Sequence, residues 1–339
     1  MPLRNAFSIC VLYLLGTIII YLGSQGYHSH IAMLSAFILF IPFILLIQYL
    51  LKKFEGKNLF EMIGDGIFEI ALKIIIIIYC FFLGGRDIFR YVDFITTTSL
   101  FMGNNILLIL SIMVTSFFIT MSGIKAFGRI GQVCFFIVAV SLLFLSSLGI
   151  SDFDFKNLLP LYPVYLSDYL KNLVIFIVEP FFESFLLINV FCYVKEKKIF
   201  LGYIIGFLIL LIIISTSMML LGDTFMTKII FPYFSSISVI NGFDFLNRIE
   251  VFGIIVFYLS CIIKLGVIII SIALGISNLI KVKEKKRLMA PIIILLVLIS
   301  FLFKNTRQMR FINPYYLGGG FVIGLVTILF LLVRRKQTN

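Results

Sequence analysis

Glu179, Pro180 and Glu183 interrupt an apolar run, Lys171 to Tyr193, that is otherwise long enough to cross a bilayer. A carboxylate at mid-membrane depth costs a few kcal/mol, so both glutamates should face protein or a water-filled cavity. Pro180 has no amide proton and its ring clashes with the carbonyl four residues back, which frees backbone polar groups near Phe176. Irregular backbone inside a membrane is tolerated only where protein or a cavity satisfies it. A discontinuous helix with carboxylates at the break is the arrangement that membrane proteins use to hold small solutes. Glu179, Pro180, Glu183 and Ser184 are therefore candidate ligand-binding residues. The plainer alternative is a Pro-kinked helix whose two glutamates are tied up by neighbouring helices.

Two further places complete the chemistry. The run from Ala6 to Gly26 carries Gly16-Thr17 at its middle. Gly16 permits an unwound backbone and Thr17 offers a hydroxyl to freed carbonyls, although Gly16 could equally serve a close helix approach. The run 250–280 buries Lys264, about 21 Å along a helix from Glu250, which is deep for a snorkelling lysine. An intramembrane ammonium needs carbonyls or a carboxylate, and Glu183 or Glu179 is the natural partner. Arg248 and Glu250, two residues apart at the entrance of that run, lie on different sides of a regular helix and read as structural.

The elements that must position these residues follow from composition. Of 339 residues 61% are hydrophobic and 13% charged, which is far too apolar for a soluble domain. Apolar runs of about 20 residues mark ten spans: 6–26, 31–51, 67–98, 104–121, 130–149, 171–193, 199–221, 250–280, 288–304 and 315–333. The net charge of +12 is distributed between spans rather than along a nucleic-acid face, so no nucleic-acid partner is expected. Inner segments carry the heavier share, including Lys52-Lys53, Lys281 to Arg287 and Arg334-Arg335-Lys336. The positive-inside rule then places both termini in the cytoplasm, with Lys304, Arg307 and Arg310 against the trend. The first run has no small-residue cleavage site after it and reads on as a span.

The residues between spans are mostly structural in this reading. Lys52 to Gly66 reads as a solvated inner loop with a short helical piece. Arg86, Asp87, Arg90 and Asp93, at spacings of three and four, read as an outer ion-pair ladder. His28 and His30 sit in an outer turn and are too few for a metal site. The five cysteines are scattered singly and read as small core residues. Residues 151–170, with Asp152, Asp154, Pro160, Pro163 and three tyrosines, form an outer linker between halves 1–150 and 171–339 of one transmembrane domain. No His-based catalytic constellation, phosphate loop or metal-ligand cluster stands out, so neither an enzyme nor a cofactor is expected.

In order and spacing, several pieces resemble the B subunit of nutrient germinant receptors of spore-forming bacteria, the GerAB type. They are Ser122-Gly123-Ile124 with Arg129, Asn157-Leu158-Leu159-Pro160, Glu183, Phe245-Leu246-Asn247-Arg248-Ile249-Glu250, and Lys264. The resemblance runs the whole length. It implies the amino acid, polyamine and organocation transporter superfamily: an all-α membrane protein of ten helices in a 5+5 inverted repeat, with helices one and six broken. It also implies binding of a germinant, commonly an amino acid, together with an A subunit and a C lipoprotein in the spore inner membrane. In sodium-coupled members of this fold the eighth helix helps form a cation site against the first, so Lys264 would stand in for that cation. The family's Asp and Trp after span one are replaced by His28-Ser29-His30, and the chain has no Trp at all. The alternatives are a stand-alone amino acid transporter, proton-coupled through Glu183 and Lys264, or a ligand-gated ion-conducting subunit.

Overall fold

The computed structural model describes residues 1–16, 29–98, 104–159, 162, 164–194, 199–240, 250–282, 284–303 and 306–334. Among them the structure is helical, with no strand. Thirteen helices organise it: α1 (Leu3–Leu15), α2 (Ser29–Lys53), α3 (Leu59–Ile63), α4 (Ile67–Thr98), α5 (Asn105–Met121), α6 (Ile124–Leu148), α7 (Leu166–Phe176), α8 (Ile188–Phe191), α9 (Phe200–Leu221), α10 (Pro232–Val239), α11 (Glu250–Ile280), α12 (Met289–Ser300) and α13 (Thr306–Val333). A single turn, Asp223–Met226, and short 3₁₀ pieces link some of them.

Seven of the described segments are long and apolar enough to cross a membrane: α2, α4, α6, the segment Leu166–Phe191, α9, Val251–Ile280 within α11, and Tyr315–Val333 within α13. The chain is an integral membrane protein. Of the other expected spans, 104–121 and 288–304 fall on the shorter helices α5 and α12, while 6–26 begins in α1 and its residues 17–26 lie outside the described residues. Large apolar side chains point outward from α2, α4, α5 and α6, among them Leu39, Ile78, Leu107, Phe118, Phe136 and Leu143. Such an apolar exterior would favour association in water and suits hydrocarbon.

The core is built around α1 and α11. From Ser8 to Leu15 α1 is buried on every side, packed by α9, α6 and α11. A helix apolar all round is one enclosed by others rather than one facing solvent. α11 packs most extensively against α4, and α12 covers α4 from another side. That last approach depends on small residues. A Cβ at Gly85 would meet Ile299 Cγ2 at 2.5 Å and the Ile299 carbonyl carbon at 3.3 Å, so only glycine lets the two backbones come this near.

One end of the bundle gathers both ends of the described chain. The Met1 amino group donates to the Tyr193 carbonyl at 2.7 Å, while Lys53 donates to the Leu332 carbonyl at 2.9 Å and Arg334 lies 3.8 Å from Glu69. The short helix α3 belongs to this end. Asn58 caps it, accepting from the Phe60 and Glu61 amides while Glu61 returns a bond to the Asn58 amide. The segment from Lys52 to Gly66 is thus less solvated than its composition suggests: Leu59, Phe60, Met62 and Ile63 are buried, and Asn189 accepts from the Leu59 amide at 3.1 Å. Beside it Asp65 receives the Lys73 ammonium at 2.8 Å, and Lys73 also donates to Asn278. The five cysteines are buried and free.

Two expectations follow from these contacts. Gly85→Leu should lower the melting temperature in detergent by several degrees, because α4 and α12 must part; Gly318→Ala, where a Cβ meets nothing within 4 Å, should leave it unchanged or raise it slightly. The hydrogen bond and charge of Lys73 hold the Asp65 carboxyl below its ordinary value. A lowered carboxyl stabilises the fold above its unfolded-state pKa and loses that contribution as the pH falls through the folded value. Wild type should therefore melt slightly above Asp65→Asn at neutral pH, the difference being small because Asp65 is exposed, and the two curves should converge in acid.

Candidate functional site

The apolar segment carrying the two glutamates is discontinuous. α7 ends at Phe176, a wide turn runs from Ile177 to Phe181, a 3₁₀ stretch from Phe182 to Leu187 follows, and α8 resumes the α-helix. Glu179 is the one residue inside the turn with extended backbone, φ −103° and ψ 119°, and its peptide bond to Pro180 is cis. The sequence expected the break here for the reason that proline cannot continue a helix. Side chains meet the backbone just beyond the break. Tyr13 of α1 donates to the Glu183 carbonyl at 2.9 Å, Ser184 donates to the Phe181 carbonyl, and Tyr203 of α9 donates to the Ser184 hydroxyl at 2.8 Å. Phe181 and Phe182 anchor the turn against Phe40 and Phe43 of α2.

Both carboxylates face α4, where they meet cations from another part of the chain. Arg86 donates through Nη1 to Glu179 Oε1 at 2.6 Å and through Nη2 to Glu183 Oε1 at 3.0 Å. One turn further on, Arg90 donates to Glu179 Oε2 at 2.9 Å and to Asn313 of α13 at 3.0 Å. Asp87 turns the other way and accepts from Arg86 at 2.9 Å. Lys264 of α11 closes the network, 2.8 Å from Glu183 Oε2 and 2.9 Å from Asp87 Oδ2. Tyr316 of α13 donates to Glu183 Oε1 at 2.8 Å, is itself bonded to Tyr79 at 2.9 Å, and lies under the Arg86 guanidinium, 3.9 Å from ring centre to Cζ. Among the described residues three cations thus meet three carboxylates, and all six side chains are buried. Each charge compensates at least one other, which is the condition for keeping any of them at this depth.

Of the sequence-derived candidates, the structure brings Glu179, Glu183, Lys264 and Gly16 together. Gly16 closes α1, and a Cβ there would meet Lys264 Cδ at 2.5 Å and the Tyr13 carbonyl at 2.9 Å, so the lysine stem lies directly on the glycine. The Lys264 ammonium goes to carboxylates of α4 and of the break. Ser184 faces α9 rather than the charges, and Pro180 is buried beside them. Thr17, His28 and Arg248 lie outside the described residues, as does the Glu250 side chain, although Glu250 opens α11. His30 is buried in the first turn of α2.

The outer ladder is corrected. Arg86, Asp87 and Arg90 are buried, and their described partners are Glu179, Glu183, Lys264 and Asn313, on other helices, besides the Arg86–Asp87 contact; Asp93 remains half-buried. Spacings of three and four allow contacts along one helix, but a charge enclosed by α11, α12 and α13 takes whichever partner cancels it. Sequence reasoning also missed Tyr13, Tyr79, Tyr316 and Asn313. The signal for Arg86 was present: it follows Gly84-Gly85 inside an unbroken apolar helix, at a point where the small residues already announce a close neighbour.

A family model described as a spore germination protein matches residues 2–309. A comparison with curated proteins returned no match.

The charge balance has a measurable consequence. Lys264→Met leaves Asp87 and Glu183 without their cation and should cost ~3–5 kcal/mol, seen as a sharply lower melting temperature and yield. Adding Asp87→Asn removes one surplus negative charge, and the double variant should recover a substantial part of the loss. If the double variant melts below both single variants, the six groups do not act as one neutral unit.

Proposed function

Since the chain belongs to the spore germination protein family, we propose that it is the transmembrane subunit of a nutrient germinant receptor, which binds a small germinant, an amino acid, and triggers germination with partner subunits. The observation that carries this is the discontinuity at Glu179–Pro180 held by buried charges beside the end of α1. A lipid-facing helix has no use for it, and a binding site built from broken helices has. On this reading α1, α5 and α12 are the remaining three of ten crossings, the halves 1–150 and 171–339 are inverted repeats, and spans one and six are the broken pair. The germinant lies near Gly16, Thr17 and the residues from Glu179 to Ser184. The partners are an A subunit and a C lipoprotein, the location is the spore inner membrane with both termini cytoplasmic, and no catalysis is involved.

A second reading is favoured by one feature. Lys264 between two carboxylates, with tyrosine hydroxyls in line, is the kind of buried titratable chain that proton-coupled transporters use. Two assays separate them. Spores lacking the chain should lose germination in response to one class of nutrient yet respond to a non-nutrient trigger, and purified chain in liposomes should accumulate no labelled amino acid. Accumulation that collapses with a protonophore, together with normal germination of the deletion strain, would instead establish transport.

A further inference from the structure

Two guanidinium groups from successive turns of α4 close on one carboxylate, each taking a different oxygen of Glu179, at 2.6 Å and 2.9 Å. This is how arginines recognise a carboxylate wherever geometry matters, through directed charge-assisted hydrogen bonds. The two sides of the contact differ in kind. The arginines stand on a continuous helix of 32 residues that α11 and α12 clasp, whereas the carboxylate is carried by the one residue of its turn whose backbone is extended. The cations stand on a packed regular helix and the anion on an irregular turn, the kind of element that absorbs φ/ψ change when a protein switches shape. Position within the cluster points the same way. Glu179 and Arg90, exposed at 5% and 6%, are the least sealed of the six charged groups, while Arg86, Asp87 and Glu183 are at 1% or below. Arg90 also lies one turn farther than Arg86 from the bundle end that holds Glu69 and Arg334.

We propose that Arg86 and Arg90 form a carboxylate clamp which Glu179 fills, and from which the carboxylate of a zwitterionic ligand displaces it. Charge neutrality selects the ligand. Among the described residues the network holds three cations and three carboxylates, so a bare anion entering it adds a negative charge at low dielectric, and a bare cation has no place in the clamp. A molecule with a carboxylate and an ammonium on neighbouring atoms leaves the count unchanged: its carboxylate takes the arginines and its ammonium takes the released Glu179. Arg86 keeps Asp87, Glu183 and the Tyr316 ring through the exchange, and Arg90 keeps Asn313. The displaced glutamate moves the turn between α7 and α8, which converts recognition into a change of shape. This inference rests on the receptor reading and assigns its specificity to Arg86, Arg90 and Glu179.

The test is the melting temperature of the full chain in lipid nanodiscs, measured against each of the twenty amino acids, their carboxamides and their deaminated acids, with inosine and glucose as probes lacking a carboxylate. At least one amino acid should stabilise the protein, and its carboxamide and its deaminated acid should each bind at least about tenfold more weakly. In Glu179→Gln the ammonium has lost its acceptor, so the deaminated acid should bind at least as well as the amino acid. That variant leaves an arginine charge uncompensated and can fail to assemble; Glu179→Asp keeps the charge on a shorter arm, and should bind the amino acid more tightly than wild type does. An amino acid and its carboxamide stabilising equally, or both Glu179 variants keeping the wild-type preference, overturns the clamp and leaves the receptor reading standing. Stabilisation by inosine or glucose alone does the same. No stabilisation by any probe overturns both.

Discussion

Charge compensation among buried side chains is the constraint on which the structure depends. Neither Glu179 nor Lys264 could be kept at this depth alone, since an isolated ion in hydrocarbon costs several kcal/mol and breaking a buried pair costs as much again. Each of the six groups is held because the others are. The consequence reaches beyond electrostatics. Arg86 can meet Glu179 and Glu183 only if α4 lies against the break, and Lys264 can meet Glu183 and Asp87 only if α11 lies against α4. The network therefore fixes the relative placement of α4, α11, α13 and the interrupted segment. Apolar packing among Leu, Ile and Phe supplies contact without specifying one register, because lipid tails and side chains are alike to it.

The interrupted segment is where sequence, backbone and function join. Pro180 forbids a regular helix, the Glu183 and Phe181 carbonyls beyond the break accept from Tyr13 and Ser184, and Phe181 and Phe182 seat the turn on α2. Glu179 stands at the rim of the cluster, with both its oxygens bonded to arginines of α4. Gly16 contributes by absence: without a Cβ it lets the Lys264 stem lie across the end of α1, so that the first and the interrupted segments share one cation.

Much of this was legible in the residues, and the pattern of what was not is physical. Glu179, Pro180, Glu183 and Lys264 announced themselves because a charge or a proline in the middle of an apolar run must be met by protein or by a cavity. Arg86, Asp87 and Arg90 did not, for two reasons. The run 67–98 is longer than one crossing needs, so its last turns could be assigned to the outside, and spacings of three and four invite a local pairing. Their partners Glu179 and Glu183 stand some ninety residues away, and only tertiary structure makes them neighbours. Tyr316 and Tyr79 were invisible because an aromatic in a membrane helix is ordinarily an interface or core residue. The loop about Lys52 to Gly66 was read as solvated from its polar composition, yet the Asn58–Glu61 cap lets it turn an apolar face inward.

The central claim is that the charges of α4 hold the interrupted segment in place. Hydrogen–deuterium exchange over residues 177–191, compared between wild type and Arg86→Gln in nanodiscs, tests it most directly. The account predicts slow exchange in the wild type and a marked rise confined to this segment and the facing end of α1 in the variant, with α9 unchanged. Equal protection in the two proteins would show that packing alone holds the break, and would contradict it.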